Sequence, residues 1–198
     1  QIPYSGGGLV IINVQAHLAW ALAEKCGYRI NTAAWERSLK EVKKSVHKKT
    51  GAIGYSSQAT WSPDISARTG AMTAALALRN QEPELVTQLS EALVNHQGRM
   101  RHAHAMSSIG LIYGFAGLKL ANRKSHQLVM QKWKPYLELC RTSAGSAAYL
   151  GGKRNFGGDQ YLGLPSIGNA TVGLMLASAQ NNLFQHGGTQ KQWFGNRK

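Results

Sequence analysis

A passage of sequence that recurs at roughly fifty-residue intervals constrains this chain more than any other feature. One copy runs from Gly51-Ala-Ile-Gly-Tyr55 through Asp64-Ile-Ser-Ala-Arg-Thr-Gly70 to Ala74-Ala-Leu-Ala-Leu78. Another runs from Gly145-Ser-Ala-Ala-Tyr149 through Gly157-Gly-Asp159 to Ala170-Thr-Val-Gly-Leu-Met-Leu-Ala177. A single helical hairpin cannot bury its apolar face alone, so self-similarity of this period predicts stacked αα-hairpins that share one core.

The helices that this pattern implies alternate in character. Residues 31–46 place Trp35, Leu39, Val42 and Val46 at three- and four-residue spacing, with Lys40, Lys43 and Lys44 on the remaining face, as expected of an outer, half-exposed helix. Glu82-Pro83 opens a second such helix through Leu85, Leu89 and Leu93, since Pro is tolerated in a first turn. A third runs from Ser125 through Val129, Trp133 and Leu137 to Cys140, and Pro135 is expected to kink it or reset its start. Between them lie segments rich in Ala, Gly, Ser and Thr and almost free of charge: 9–24, 65–78, 106–120 and 169–179. Such composition suits inner helices packed on several sides. The stretch 143–168 is longer than helix reversal needs and reads as a loop over one mouth of the inner layer.

Polar-backed outer helices alternating with small-residue inner ones, joined by Gly-x-x-Gly-Tyr loops, resemble the α/α toroid of terpenoid cyclases and protein prenyltransferases and of several polysaccharide lyases. The runs His102-Ala-His-Ala-Met-Ser-Ser-Ile-Gly-Leu111 and Gly151-Gly-Lys-Arg-Asn-Phe-Gly-Gly-Asp-Gln-Tyr-Leu-Gly163 look more closely like an uncharacterised bacterial family of such domains. The resemblance implies an all-α fold of αα-hairpin repeats forming a toroid or a partial, arc-like toroid; fold alone implies no activity. The better-known toroid activities lack their residues here. Asp64 and Asp159 are the only aspartates and stand apart, so the Asp-rich acid motif of triterpene cyclases is missing. His102, His104, Cys26 and Cys140 do not reproduce the Asp/Cys/His zinc set of prenyltransferases, and the Cys-Gly-Glu-Gln of thioester domains is absent.

Four inner helices against three outer ones, in a chain that begins at Gln1, lead to the expectation of one all-α domain over 1–198 of about four hairpins. It reads as the C-terminal part of a larger protein, or as an arc that closes by forming a homo-oligomer. The compartment is open, with export favoured over the cytoplasm. No run of about eighteen apolar residues is present, so no membrane span is expected. Cys26 and Cys140 match no CxxC spacing and read as buried small hydrophobes.

Lys and Arg outnumber Asp and Glu by 23 to 9, for a net charge of +14, which favours a polyanion as partner. The basic stretch Lys40 to Lys49 has no interleaved aromatic residues and no DNA-binding motif accompanies it, so sequence-specific nucleic-acid binding is not expected. An acidic polysaccharide fits the charge better. In that reading His102 or His104 and Tyr149 handle protons, Arg101 and Arg154 hold an acidic group, and Asp159 orients a partner. Arg68, Asn155, Tyr161, Tyr55 and Asp64 complete the candidate substrate-binding set. The run 151–159 lacks the Gly-Lys-Ser/Thr ending of a phosphate loop, two histidines supply no third ligand, and neither a metal nor another cofactor is expected. The competing reading is a non-catalytic repeat scaffold that binds protein or glycan on its concave face; a wet cleft with converging titratable groups would favour the enzyme, a dry one the scaffold.

Overall fold

A computed structural model describes residues 9–57, 65–101, 107–147 and 165–179. They form an all-α architecture of seven α-helices: α1 (Val10–Lys25), α2 (Thr32–Lys44), α3 (Ile65–Arg79), α4 (Pro83–Asn95), α5 (Ser107–Ala121), α6 (Arg123–Leu139) and α7 (Pro165–Ala179), with a 3-10 turn at Gln97–Arg99. The alternation expected from composition is the alternation observed. The helices α1, α3, α5 and α7 pack side by side in that order, while α2, α4 and α6 pack on the outside of α1, α3 and α5 respectively.

Local chemistry sets the outer helices. The side chain of Asn31 accepts the Ala34 N–H at 2.9 Å to cap α2, and Asn122 accepts the Ser125 N–H at 3.1 Å to cap α6. Each cap satisfies one of the donors that a helix leaves open at its start and is worth about 1 kcal/mol. At α4 the chain turns instead through Glu82, at φ 51° in the left-handed region, so that Pro83 enters at the first helical position. Two boundaries differ from expectation. Pro135 neither resets nor ends α6, which runs unbroken from Arg123, because three turns of buried contacts by His126, Val129 and Trp133 hold the helix across it. The last inner helix opens at Pro165, a turn before Asn169, again with Pro in the first turn.

The inner layer is densest at α3, where every residue from Ile65 to Leu76 is buried. Its neighbour α5 approaches so closely that no side chain fits between them. A Cβ added at Gly70 would stand 2.2 Å from the carbonyl oxygen of Tyr113, and one at Gly117 would stand 2.6 Å from the carbonyl oxygen of Gly70. Small residues on the inner helices are thus the condition for the layer to form. Two large apolar clusters make up most of the core. One joins Val14, Trp35, Leu39, Val42, Met72 and Leu89; the other joins Leu93, Leu111, Phe115, Leu118, Trp133 and Met175. Burying each such side chain contributes about 1.5–3 kcal/mol.

Of the two cysteines only Cys140 is buried; Cys26 follows the last turn of α1 in an exposed position, and neither is in a disulfide.

Candidate functional site

The repeated loops fold alike. After α2, Gly51 takes φ +69° and Val46 pairs with Ile53 in an isolated antiparallel bridge; after α6, Gly145 takes φ +78° and Arg141 pairs with Ala147 in the same way. A left-handed φ is what makes glycine the residue at both turns. The bridge residue is then tied to the next inner helix. The Ile53 N–H donates to Thr69 Oγ1 at 3.1 Å, and the Ala147 N–H donates to Asn169 Oδ1. Thr69 and Asn169 are each the fifth residue of their helix, so loop and inner helix share one register in both repeats.

Of the substrate-binding set, Tyr55 and Arg68 meet. The Arg68 side chain rises from the first turn of α3 and is only 2% exposed; its Nε donates to the Ile53 carbonyl at 3.3 Å and its guanidinium lies 5.4 Å from the centroid of the Tyr55 ring. Arg101 is half-buried at the end of the turn after the 3-10 helix. Asp64, His102, His104, Tyr149, Arg154, Asn155, Asp159 and Tyr161 lie outside the described residues.

Two histidines that the repeat pattern did not single out are at the centre of the core. His17 is fully buried on α1 with its ring edge-on to Trp35 at 4.3 Å and to Trp20 at 5.6 Å. His126 on α6 meets Phe115 edge-on at 6.0 Å. Burial pushes both down from 6.5 to about 4, with the charge of Arg79 adding to the effect at His17 and that of Lys119 at His126. At neutral pH both are uncharged aromatic packing groups. A signal was present: His17 continues the buried stripe Val10, Val14, Ala21, and His126 the stripe Val129, Trp133, Leu137. Beside His17, Arg79 stacks 4.1 Å above the Trp35 ring and forks onto Glu24, Nε to Oε2 at 2.7 Å and Nη2 to Oε1 at 3.3 Å.

The inner layer also carries an open cleft of about 280 Å³ to which all four inner helices contribute, through Leu18 and Leu22 of α1, Leu78 of α3, Ile112 and Phe115 of α5, and Leu174 of α7. Tyr113 brings the one ionisable side chain of its lining. Among the described residues no group of three or more His, Cys, Asp or Glu is placed to hold a metal ion, and no helix is long and apolar enough to cross a membrane.

These features define an all-α domain of αα-hairpins with an apolar cleft on its inner layer. Residues 3–187 match the family described as "Domain of unknown function (DUF6288)", and the chain belongs to that family. No curated protein and no solved structure matches it significantly.

Proposed function

We propose that the domain is a non-catalytic helical-repeat scaffold, part of an α/α toroid, that binds an apolar group on the concave side of its inner layer. The observation that carries this reading is the 280 Å³ cleft, whose lining by Leu18, Leu22, Leu78, Ile112, Phe115 and Leu174 offers burial and almost nothing that titrates. Its size is close to the lower end of small-ligand pockets, about 300 Å³, and suits an aliphatic chain or a single aromatic ring system. The alternation of outer and inner helices supports the toroid reading. The test is titration with pyrene, an uncharged fluorescent probe, followed by competition with long-chain alcohols. Saturable binding that is lost in Ala116→Trp, where an indole would project into the cleft, supports the scaffold; binding unchanged by that substitution removes the cleft from consideration.

A catalytic reading draws on a different observation, the excess of 14 positive charges. In it the domain cleaves an acidic polysaccharide, His102 or His104 and Tyr149 move protons, Arg101 and Arg154 neutralise a uronate carboxylate, and Asp159 orients its partner. Its test is release of unsaturated product from polyuronates, with His102→Ala and Tyr149→Ala as inactive controls. Absence of product from the unaltered chain across a panel of such polymers rejects it.

A further inference from the structure

Among the described residues, the inner-layer cleft is lined by leucine, isoleucine, phenylalanine, alanine and methionine, with one exception. Tyr113 of α5 brings the single hydroxyl, and no charged side chain lines the cleft. The cleft follows the register of the repeat. Ala74 and Leu174, the tenth residues of α3 and α7, both line it, just as Thr69 and Asn169, the fifth residues, both hold a loop.

Tyr113 stands at the most constrained point of the layer. Its carbonyl oxygen is the atom that a Cβ on Gly70 would meet at 2.2 Å, so the crossing of α3 and α5 fixes the backbone from which the ring projects. The half-buried ring packs against the cluster that contains Val14, Met72 and Leu76. Packing uses the ring and leaves the hydroxyl over, because no described residue hydrogen-bonds the Tyr113 oxygen. A tyrosine packed against a core ordinarily ties its hydroxyl to a partner. Phenylalanine would pack as well here, so the fold does not account for the oxygen.

We propose that the ligand of this cleft is an uncharged amphiphile of about a dozen carbon atoms with one hydrogen-bonding group, a hydroxyl or a carbonyl, that pairs with the Tyr113 hydroxyl. The inference rests on the reading of the cleft as a ligand site and adds the class of ligand. Size follows from volume: 280 Å³ is nearly twice the volume of about 150 Å³ in which an engineered apolar cavity holds one benzene. Charge follows from the lining. A carboxylate or an ammonium would leave water for a wall with no opposite charge, a cost that one neutral hydrogen bond does not offset. Lys119, beside Leu120 in the chain, does not line the cleft. Orientation follows as well, since a hydrocarbon can lie anywhere among leucines, whereas a bond from Tyr113, held by the crossing, fixes which end of the ligand meets α5.

The probes are 4-phenylphenol and 4-methylbiphenyl, which differ only by hydroxyl for methyl, each competing with pyrene for the full chain and read by pyrene fluorescence. The expected result is that Tyr113→Phe weakens 4-phenylphenol about three- to tenfold, the range for one hydrogen bond, and leaves pyrene and 4-methylbiphenyl within about twofold. Comparing both probes on both chains cancels the difference in their own affinities for water. The substitution removes one oxygen that no described residue bonds, so the melting curve should match the parent. Biphenyl-4-carboxylate should compete about tenfold more weakly than 4-phenylphenol, or worse. Two results overturn the inference while leaving the cleft a ligand site: an equal effect of Tyr113→Phe on both probes, or biphenyl-4-carboxylate binding as tightly as 4-phenylphenol. Failure of pyrene to bind the unaltered chain overturns the reading of the cleft itself, and the inference with it.

Discussion

Gly117 on α5 backs directly onto Gly70 on α3, so closely that a Cβ on Gly117 would lie 2.6 Å from the Gly70 carbonyl oxygen and 3.0 Å from its Cα. Neither obstacle is a side-chain tip that could swing away. Gly70→Ala and Gly117→Ala must therefore push α3 and α5 apart, and each is expected to cost about 1–3 kcal/mol or more. Gly173→Ala is the internal control: it faces open space in a helix, so it should stabilise by about 0.5–1 kcal/mol. Urea unfolding of the three variants side by side checks the contrast. A Gly117→Ala chain as stable as the parent would show that the crossing is looser than described.

The fork between Arg79 and Glu24 joins the first inner helix to the second, and the Arg79 side chain is nearly buried while that of Glu24 is 40% exposed. Removing the arginine therefore matters more than removing the acid. Arg79→Met is expected to destabilise by about 1.5–3 kcal/mol, the range for hydrogen bonds to charged groups. Arg79→Lys should recover little of that, because an ammonium can neither fork onto both carboxylate oxygens nor stack flat on Trp35. Glu24→Gln should cost less than either. The same unfolding measurement ranks them, and an Arg79→Lys chain of parental stability would refute the bidentate role.

Stability should fall as the solution is acidified from about pH 6.5 to about pH 4. The sign follows from the two buried histidines. Their folded values are near 4 against 6.5 for an unhindered imidazole, so between these limits the unfolded chain binds more protons than the folded one, and stability rises with pH. The effect is complete above pH 6.5 and amounts to roughly 3 kcal/mol for each histidine, at about 1.4 kcal/mol per pH unit of displacement. His17→Leu and His126→Leu should each flatten the profile. Melting temperature measured from pH 4 to pH 8 decides it, and identical slopes in parent and variants would assign the acid sensitivity to other groups.

At the two turn glycines a substitution should distinguish a crowded position from an open one. Gly145→Ala meets only the cost of a left-handed backbone, about 1–2 kcal/mol. Gly51→Ala adds a collision with Gln88 at 3.2 Å. A larger loss at Gly51 than at Gly145 in denaturant unfolding is the expected outcome, and equal losses would mean that α4 does not press on the turn.

Much of this layering was legible in the sequence, because two separable signals coincided. Outer helices announce themselves by one apolar stripe, as Trp35, Leu39 and Val42 do, and inner helices by having no charged face to place toward water. The equivalence of Gly51-to-Tyr55 with Gly145-to-Tyr149 was likewise visible, and over Gly51–Ile53 and Gly145–Ala147 the structure gives it a meaning in backbone angles and in the Thr69 and Asn169 bonds. Pro135 does not reset the start of α6, because the helix buries His126, Val129, Trp133 and Leu137 on either side of it and that burial outweighs the local penalty. The pairing of Gly70 with Gly117 could not be read, since nothing in either helix alone says which glycine meets which. Of the candidate site, the sequence offered residue types only. Tyr55 and Arg68 came together, while the cleft is built from leucines and a phenylalanine that look like any core residue until four helices are side by side.

The order in which the inner helices lie against one another also sets a clock. Glu24 and Arg79 are 55 residues apart, so at about 5–20 residues per second a ribosome takes roughly 3–10 s to supply α1 with its inner neighbour. Throughout that interval α1, an apolar helix with a single acidic residue, lacks the neighbour that covers its α3 face. The face by which α1 joins the inner layer is thus open to other partners for seconds during synthesis, before α3 arrives to cover it.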